Sequence, residues 1–397
     1  MSNNRWTLPV IVFAQFCGTS LWFAGNAVMG NLADAFDLEA GAMVHLTSAV
    51  QFGFISGTLV FALLTIADRY SPSRVFFISA LIGAFFNLGT VLSINTFGTL
   101  LGLRFLTGFF LAGIYPVGMK IAADYYQKGL GKSLGFLVGA LAVGTAFPHL
   151  LRGFSDDLAW RYVIGFTSFI AAFGGLLILL FVPDGPYRKQ SQKPDLTVIF
   201  KVFRVQKFRA AAFGYFGHMW EVYAFWAFVP VILATYIKLH PGTSLNIPVW
   251  SFLIIGLGGL ACVIGGYVSQ SFGTKKTAAT ALFLSGLCCL LSPLAIIATS
   301  PLVLITFLIF WGLVVIADSP LFSTLVAQNT EAETRGTALT IVNSIGFAIT
   351  IISIQLLGFL LERINPGYIY LTLTIGPILG LLALYRKPSA SGEPPGE

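Results

Sequence analysis

PLVLITFLIFWGLVVIADSPLFSTLVAQ, from Pro301 to Gln328, decides how this chain is read. Its apolar run to Ala327 is long enough to cross a bilayer, for which about 20 residues suffice. Yet it carries Asp318 two thirds of the way along. An ionisable side chain at the centre of a spanning helix costs about 2.5–3.5 kcal/mol on insertion scales, and such residues mark ion or substrate paths. Pro320 follows two residues later and has no N–H to donate, so a nearby carbonyl is freed or the helix bends. An acid beside an interrupted backbone within the membrane is what an ion or substrate site requires. The plainer alternative is an Asp at the membrane interface, paired with a neighbouring loop.

The rest of the chain has the same character. Of 397 residues, 56% are hydrophobic and 10% charged, against roughly 25% charged in a soluble domain. No water-soluble fold hides that much apolar surface, which makes this an all-α polytopic membrane protein. Twelve segments suit spanning helices: 8–30, 44–66, 75–94, 98–121, 133–152, 161–182, 209–235, 248–269, 277–298, 301–326, 337–360 and 367–385. The first is too long for a signal-peptide core and is kept as a span. Most connections are short. The exception, PDGPYRKQSQKPDLTVIFKVFRVQKF at 183–208, falls near the midpoint and is rich in Pro, Lys and Arg. It divides the chain into a six-helix bundle at 1–182 and a second at 209–387, with 388–397 as a disordered tail. Apolar residues set among lysines and arginines in Leu196 to Phe208 suit a helix lying on the membrane surface.

The net charge of +7 reflects topology rather than nucleic-acid binding. Basic residues crowd alternate connections, among them Arg69, Arg74, Lys120, Lys128, Lys132, Lys275, Lys276 and the linker, while the opposite loops hold only Arg152, Arg161, Lys238 and Arg363. The positive-inside rule then places both termini in the cytoplasm of an inner (plasma) membrane. Cys17, Cys262, Cys288 and Cys289 fall in apolar segments with neither zinc nor disulfide spacing. No metal or other cofactor is expected, and the chain is expected to be monomeric.

An internal repeat supports the two halves. GIYPVGMKIAADYYQKGLGKSLG at Gly113 to Gly135 parallels ADSPLFSTLVAQNTEAETRGTAL at Ala317 to Leu339, with Pro116 matching Pro320. ADRYSPSR, between segments 2 and 3, likewise parallels GYVSQSFGTKK, between segments 8 and 9. Duplicated halves with a site near the midplane are a transporter architecture.

The twelve spans, the basic midpoint linker and the loop after segment 2 resemble the major facilitator superfamily over nearly the whole chain. Its members carry G-x-x-x-D-R-x-G-R-K/R in that loop. This chain keeps Asp68, Arg69 and Arg74 but has Leu64 and Ser71 at the usual glycines. The resemblance implies that Asp68, Arg69 and Arg74 gate one side of an alternating-access carrier. Ordinary positive-inside loop chemistry is the alternative. Arg104 resembles the family's R-x-x-x-G pattern in the fourth helix. Because an arginine keeps its charge, it faces an acid, carbonyls, water or an anionic ligand, or it snorkels outward.

Within GHMWEVYAFWAF, Glu221 lies near mid-depth with His218 on the same helical face. A carboxyl shielded from water can take up and release a proton during transport. Trp220, Tyr223 and Trp226 can wall a pocket, or simply pack. Glu221 is the favoured coupling site by depth, and Asp318 the second. Asn26, Tyr115 and Asn343 complete the candidate substrate set. Segment 5 lacks the G-P pair of drug–proton antiporters, having Gly139, Gly144 and Pro148 instead. The expected function is proton-coupled secondary transport of a small polar or anionic organic solute, with multidrug efflux as the alternative. A membrane-embedded enzyme or a receptor is remote. No nucleotide-binding loop suggests a pump, and no catalytic cluster suggests an enzyme.

Overall fold

The computed structural model describes residues 6–39, 41–126, 130–154, 159–188, 198–331 and 334–386. The middle of the linker and the tail at 388–397 lie outside them. Among the described residues the chain forms twelve spans. Ten contain helix long and apolar enough to cross a membrane, and shorter apolar helices, Thr7–Thr19 and Ile369–Tyr385, supply the first and last.

Four spans are interrupted. Span 1 runs as Thr7–Thr19, Ala24–Ala27 and Met29–Phe36, broken at Ser20 to Phe23. Span 4 divides into Phe97–Leu111 and Tyr115–Tyr125, span 8 into Ile247–Gly256 and Gly258–Phe272, and span 10 into Pro301–Ala317 and Ser319–Gln328. Two of the breaks carry a proline, although Pro148, Pro230 and Pro293 stand inside unbroken helices. Pro116 and Pro320 each take the second position of the helix after the break, where a missing N–H costs least. In an unbroken helix a residue at position 320 would donate its N–H to the Ile316 carbonyl, and proline has none to give. That carbonyl accepts instead from the Cys262 thiol at 3.5 Å.

The unbroken spans are 2 (Ala42–Leu63), 3 (Pro72–Gly89), 5 (Leu130–Gly153), 6 (Trp160–Phe181), 7 (Gln206–Leu239), 9 (Thr274–Ile297) and 11 (Arg335–Leu361). Span 2 packs on 4, 3 on 6, and 1 on 5 and 6; span 7 packs on 11 and 12, and 10 on 8 and 9. Contacts between the two groups run along spans 5 and 8 and spans 2 and 11. At mid-height spans 5 and 8 meet glycine to glycine. A Cβ on Gly139 would lie 2.7 Å from the Gly259 carbonyl oxygen, and one on Gly259 would lie 2.7 Å from that of Gly139.

At the end of the bundle away from the chain termini, these same spans are bolted together. Gln355 of span 11 donates to Ser48 Oγ of span 2 at 2.9 Å, and Asn246, before span 8, donates to the Gly153 carbonyl of span 5 at 3.4 Å. The linker differs from its sequence reading. Among its described residues Val198–Val202 forms a separate helix, while Lys207 and Phe208 belong to span 7. Phe208 is fully buried there, so its apolar burial extends the span into the stretch expected to lie on the surface.

Candidate functional site

The two groups of spans meet in a buried aromatic layer. Trp22 of span 1 stacks on Phe347 of span 11 at 5.6 Å and lies 5.5 Å from Tyr223 of span 7. Phe54 of span 2 is 4.5 Å from Phe347 and 6.4 Å from Tyr115 of span 4. Trp226 extends the layer through Tyr223 and Phe23. Tyr223, Trp226 and Tyr115 therefore come together, as the sequence suggested for the first two. Trp220 does not join them. Its indole donates to the Thr372 carbonyl of span 12 at 3.1 Å.

Several spans also carry buried polar atoms with no hydrogen-bond partner among the described residues. They include both amide atoms of Gln15, the Gln51 amide nitrogen, Thr145, His149 Nε2, Trp226 Nε1, Ser251 and Ser344. Buried polar groups in native proteins are nearly always bonded, so these orphans on spans 1, 2, 5, 7, 8 and 11 are candidates for contact with a solute or water. Sequence reasoning did not single out Thr145, Ser251 or Ser344, because small hydroxyl residues are common in membrane helices. Asn343 is half-buried on span 11. Asn26 donates to Thr47 Oγ1 at 2.7 Å and ties span 1 to span 2.

The break in span 10 brings Asp318 to His218 of span 7. Nδ1 and Oδ1 are 2.8 Å apart, and both side chains are 1% exposed. It is a close electrostatic contact rather than a well-aligned hydrogen bond, and His218 Nε2 and Asp318 Oδ2 have no hydrogen-bond partner among the described residues. Asp318 directly precedes the helix Ser319–Gln328, whose N-terminal dipole favours a negative charge at that position. Histidine is the side chain whose charge changes most readily near neutral pH. An acid and a histidine with unused atoms, at a broken backbone, form a unit that can hold or pass a proton.

Glu221 shares a helical face with His218 but takes different partners. Oε1 accepts from Trp311 Nε1 at 2.6 Å and Oε2 from Ser285 Oγ at 2.9 Å. Both oxygens are engaged by spans 9 and 10, whereas Asp318 keeps an oxygen without a partner among the described residues. Glu221→Gln is expected to lower stability by about 1–3 kcal/mol, because its amide nitrogen cannot accept from one of those donors. Thermal unfolding of the purified variant measures this.

Arg104 neither snorkels nor faces an open space. Nη1 donates to the Leu21 carbonyl at 3.2 Å and to Asn87 Oδ1 at 3.0 Å, and Nη2 donates to the Leu21 and Trp22 carbonyls. These carbonyls are released by the break at Ser20 to Phe23. Asn87 in turn donates to Ser168 Oγ of span 6 at 2.9 Å. Arg104 thereby fixes the broken part of span 1, and with it Trp22, whose indole donates to Gln51 Oε1 at 3.2 Å.

At the end that carries the termini, Asp68 lies 2.8 Å from Lys120 of span 4, which also approaches Asp124 at 3.8 Å. Arg188 donates to the Asp68 and Tyr70 carbonyls and pairs with Asp184, which accepts from Ser71 Oγ at 2.6 Å. Arg69 and Arg74 are exposed. Thr65 turns the chain before Asp68 with φ 50°, left-handed backbone that a β-branched residue rarely adopts. Lys120, Asp124, Asp184 and Arg188 were missed in the sequence, since they lie far from the loop motif.

A family model described as Major Facilitator Superfamily matches residues 11–354 and again 211–396. The chain is 27% identical over 186 residues to a 3-(3-hydroxy-phenyl)propionate transporter of Escherichia coli, covering 46% of this chain and 43% of that one. A multidrug transporter of Candida glabrata is 30% identical over 185 residues, covering 45% and 29%. A bicyclomycin resistance protein homolog of Haemophilus influenzae is 22% identical over 334 residues, covering 80% of each. The matches to the first two thus span less than half of those relatives' lengths. With the family model matching along nearly the whole chain, this integral membrane protein belongs to the Major Facilitator Superfamily.

Proposed function

We propose that the chain is a proton-coupled secondary transporter that moves a small polar or anionic organic solute by alternating access. The carrying observation is the buried His218–Asp318 pair at the break of span 10. An isolated charge there would be costly, and a pair that gains or loses one proton changes the charge within the second group of spans. The solute would bind at the aromatic layer, with its ring or chain between Trp22, Tyr223 and Phe347 and its polar end toward orphans such as Gln15 and Gln51. An aromatic carboxylate, as named for the Escherichia coli relative, has both parts and heads the list of solutes to try. Both termini would lie in the cytoplasm of an inner membrane, and the protein would act as a monomer.

The test is uptake into proteoliposomes under an imposed pH difference, with phenylpropionate-type acids and unrelated metabolites. A solute that accumulates only with the gradient supports the proposal. Accumulation that ignores pH for every solute removes proton coupling. The aromatic layer, with the similarity to drug-transporter relatives, also favours a second reading as multidrug efflux, which predicts proton-driven movement of lipophilic cations instead.

In either reading Asp68, with Lys120 and Arg69 and Arg74 nearby, would gate the terminal end. The Asp68–Lys120 pair is partly exposed, and such pairs add at most about 1 kcal/mol of stability. Asp68→Asn is therefore expected to reach the membrane in near-normal amount yet transport several times more slowly. Membrane abundance and initial uptake rate, compared side by side, check this. A normal rate removes the gate assignment.

A further inference from the structure

Away from the central layer, spans 8, 9 and 10 enclose a groove of about 620 Å³ on the outer wall of the bundle. Ile264, Val268 and Phe272 line one side, Leu284 and Phe310 the others, and Gly265 and Ala317 close its depth. The lining is almost wholly carbon, and the Thr277 hydroxyl is already bonded to the Gly273 carbonyl at 3.0 Å.

Lys276 lines the end nearest the termini. It is exposed and has no partner among the described residues, whereas its neighbour Lys275 lies over the Tyr385 ring at 5.3 Å. From Lys276 to Leu284 the wall of span 9 rises about 12 Å at 1.5 Å per residue. That is most of one leaflet of a hydrocarbon core about 30 Å thick.

We propose that this groove binds an anionic phospholipid of the leaflet on the side of the chain termini, with its headgroup on Lys276 and an acyl chain along span 9. An apolar channel of one-leaflet depth suits a chain, and a free cation at its mouth suits a negative headgroup. A zwitterionic lipid would fill the channel equally well but gain less from Lys276. Beside the groove, Ala317 joins the wall directly to Asp318, which places the lipid against the break of span 10.

The test is native mass spectrometry of protein taken from vesicles of equal phosphatidylglycerol and phosphatidylcholine. Wild type is expected to retain phosphatidylglycerol about fivefold over phosphatidylcholine, the worth of one basic residue beside an anionic surface. Lys276→Glu should abolish that preference, with Lys276→Gln as the milder version should the first fold poorly. Thr280→Trp, which fills the groove, should lower retention of both lipids. Equal retention by wild type, or an unchanged preference in the Lys276 variants, overturns the proposal. Undiminished retention in Thr280→Trp overturns the placement of the chain in this groove.

Discussion

Asp318→Asn, reconstituted into liposomes, is expected to lose solute accumulation driven by a pH difference while keeping solute-for-solute exchange. One proton carried across a gradient of one pH unit supplies about 1.4 kcal/mol, or about tenfold accumulation. Asparagine matches the shape of the acid but cannot carry the proton, so the accumulation ratio should fall to one. On the proposed mechanism, exchange at equal pH needs only the aromatic layer and the movement of the spans, which leave Asp318 aside. His218→Gln should give the same split, because either half of the pair disables it. Glu221→Gln serves as the contrast: it should lose stability yet keep coupling. If Asp318→Asn and His218→Gln both accumulate solute normally and Glu221→Gln does not, the coupling site moves to Glu221. If all three accumulate normally, proton coupling itself falls.

The second large effect concerns Arg104. Arg104→Leu leaves the Leu21 and Trp22 carbonyls and Asn87 Oδ1 without the donor that the structure gives them. Each buried acceptor left unpaired costs about 1–3 kcal/mol, so the variant is expected to be severely destabilised, with thermal unfolding in detergent well below wild type. Arg104→Lys should recover only part of the loss. An ammonium is a compact point charge and cannot fork across two successive carbonyls as a guanidinium does. A Lys variant as stable as wild type would show that the fork is not needed. If Arg104 instead held an anionic solute directly, Arg104→Leu would lose solute affinity at unchanged stability.

The spans were legible because twenty apolar residues in a row leave little choice of structure. The break of span 10 was legible for a related reason, since Pro320 removes a donor beside Asp318; Pro116 was read only as its match in the first half. The break at Ser20 to Phe23 was not, because no proline marks it and the Arg104 guanidinium that holds it lies 83 residues away. Its partners are backbone carbonyls, which every residue carries, so sequence gives no sign of them. The His218–Asp318 contact was hidden for another reason. Helical spacing shows which residues share a face of one helix, and it pointed His218 toward Glu221. Which neighbouring helix that face meets is decided by packing. There Trp311 and Ser285 claimed Glu221, leaving His218 to the residue exposed by the broken span. The aromatic triad divided in the same way, with Trp220 turned toward span 12 and Tyr223 and Trp226 toward the centre.

The meeting of Gly139 and Gly259 bears on how such a bundle changes state. Where side chains interlock, two helices behave like toothed racks: they shift in whole steps, and each step waits for rotamers to disengage. At this crossing the two backbones touch directly, with the Val143 side chain of span 5 beside them, its Cγ2 2.8 Å from where a Cβ on Gly259 would lie. If the spans move as proposed, little has to disengage there and more of the resistance falls to the ends. Among the described residues, Gln355 on Ser48 and His45 and Asn246 on Gly153 tie the spans at one end. An alanine at either glycine would set a single tooth into a smooth bearing, and with no rotamer of its own it could never disengage.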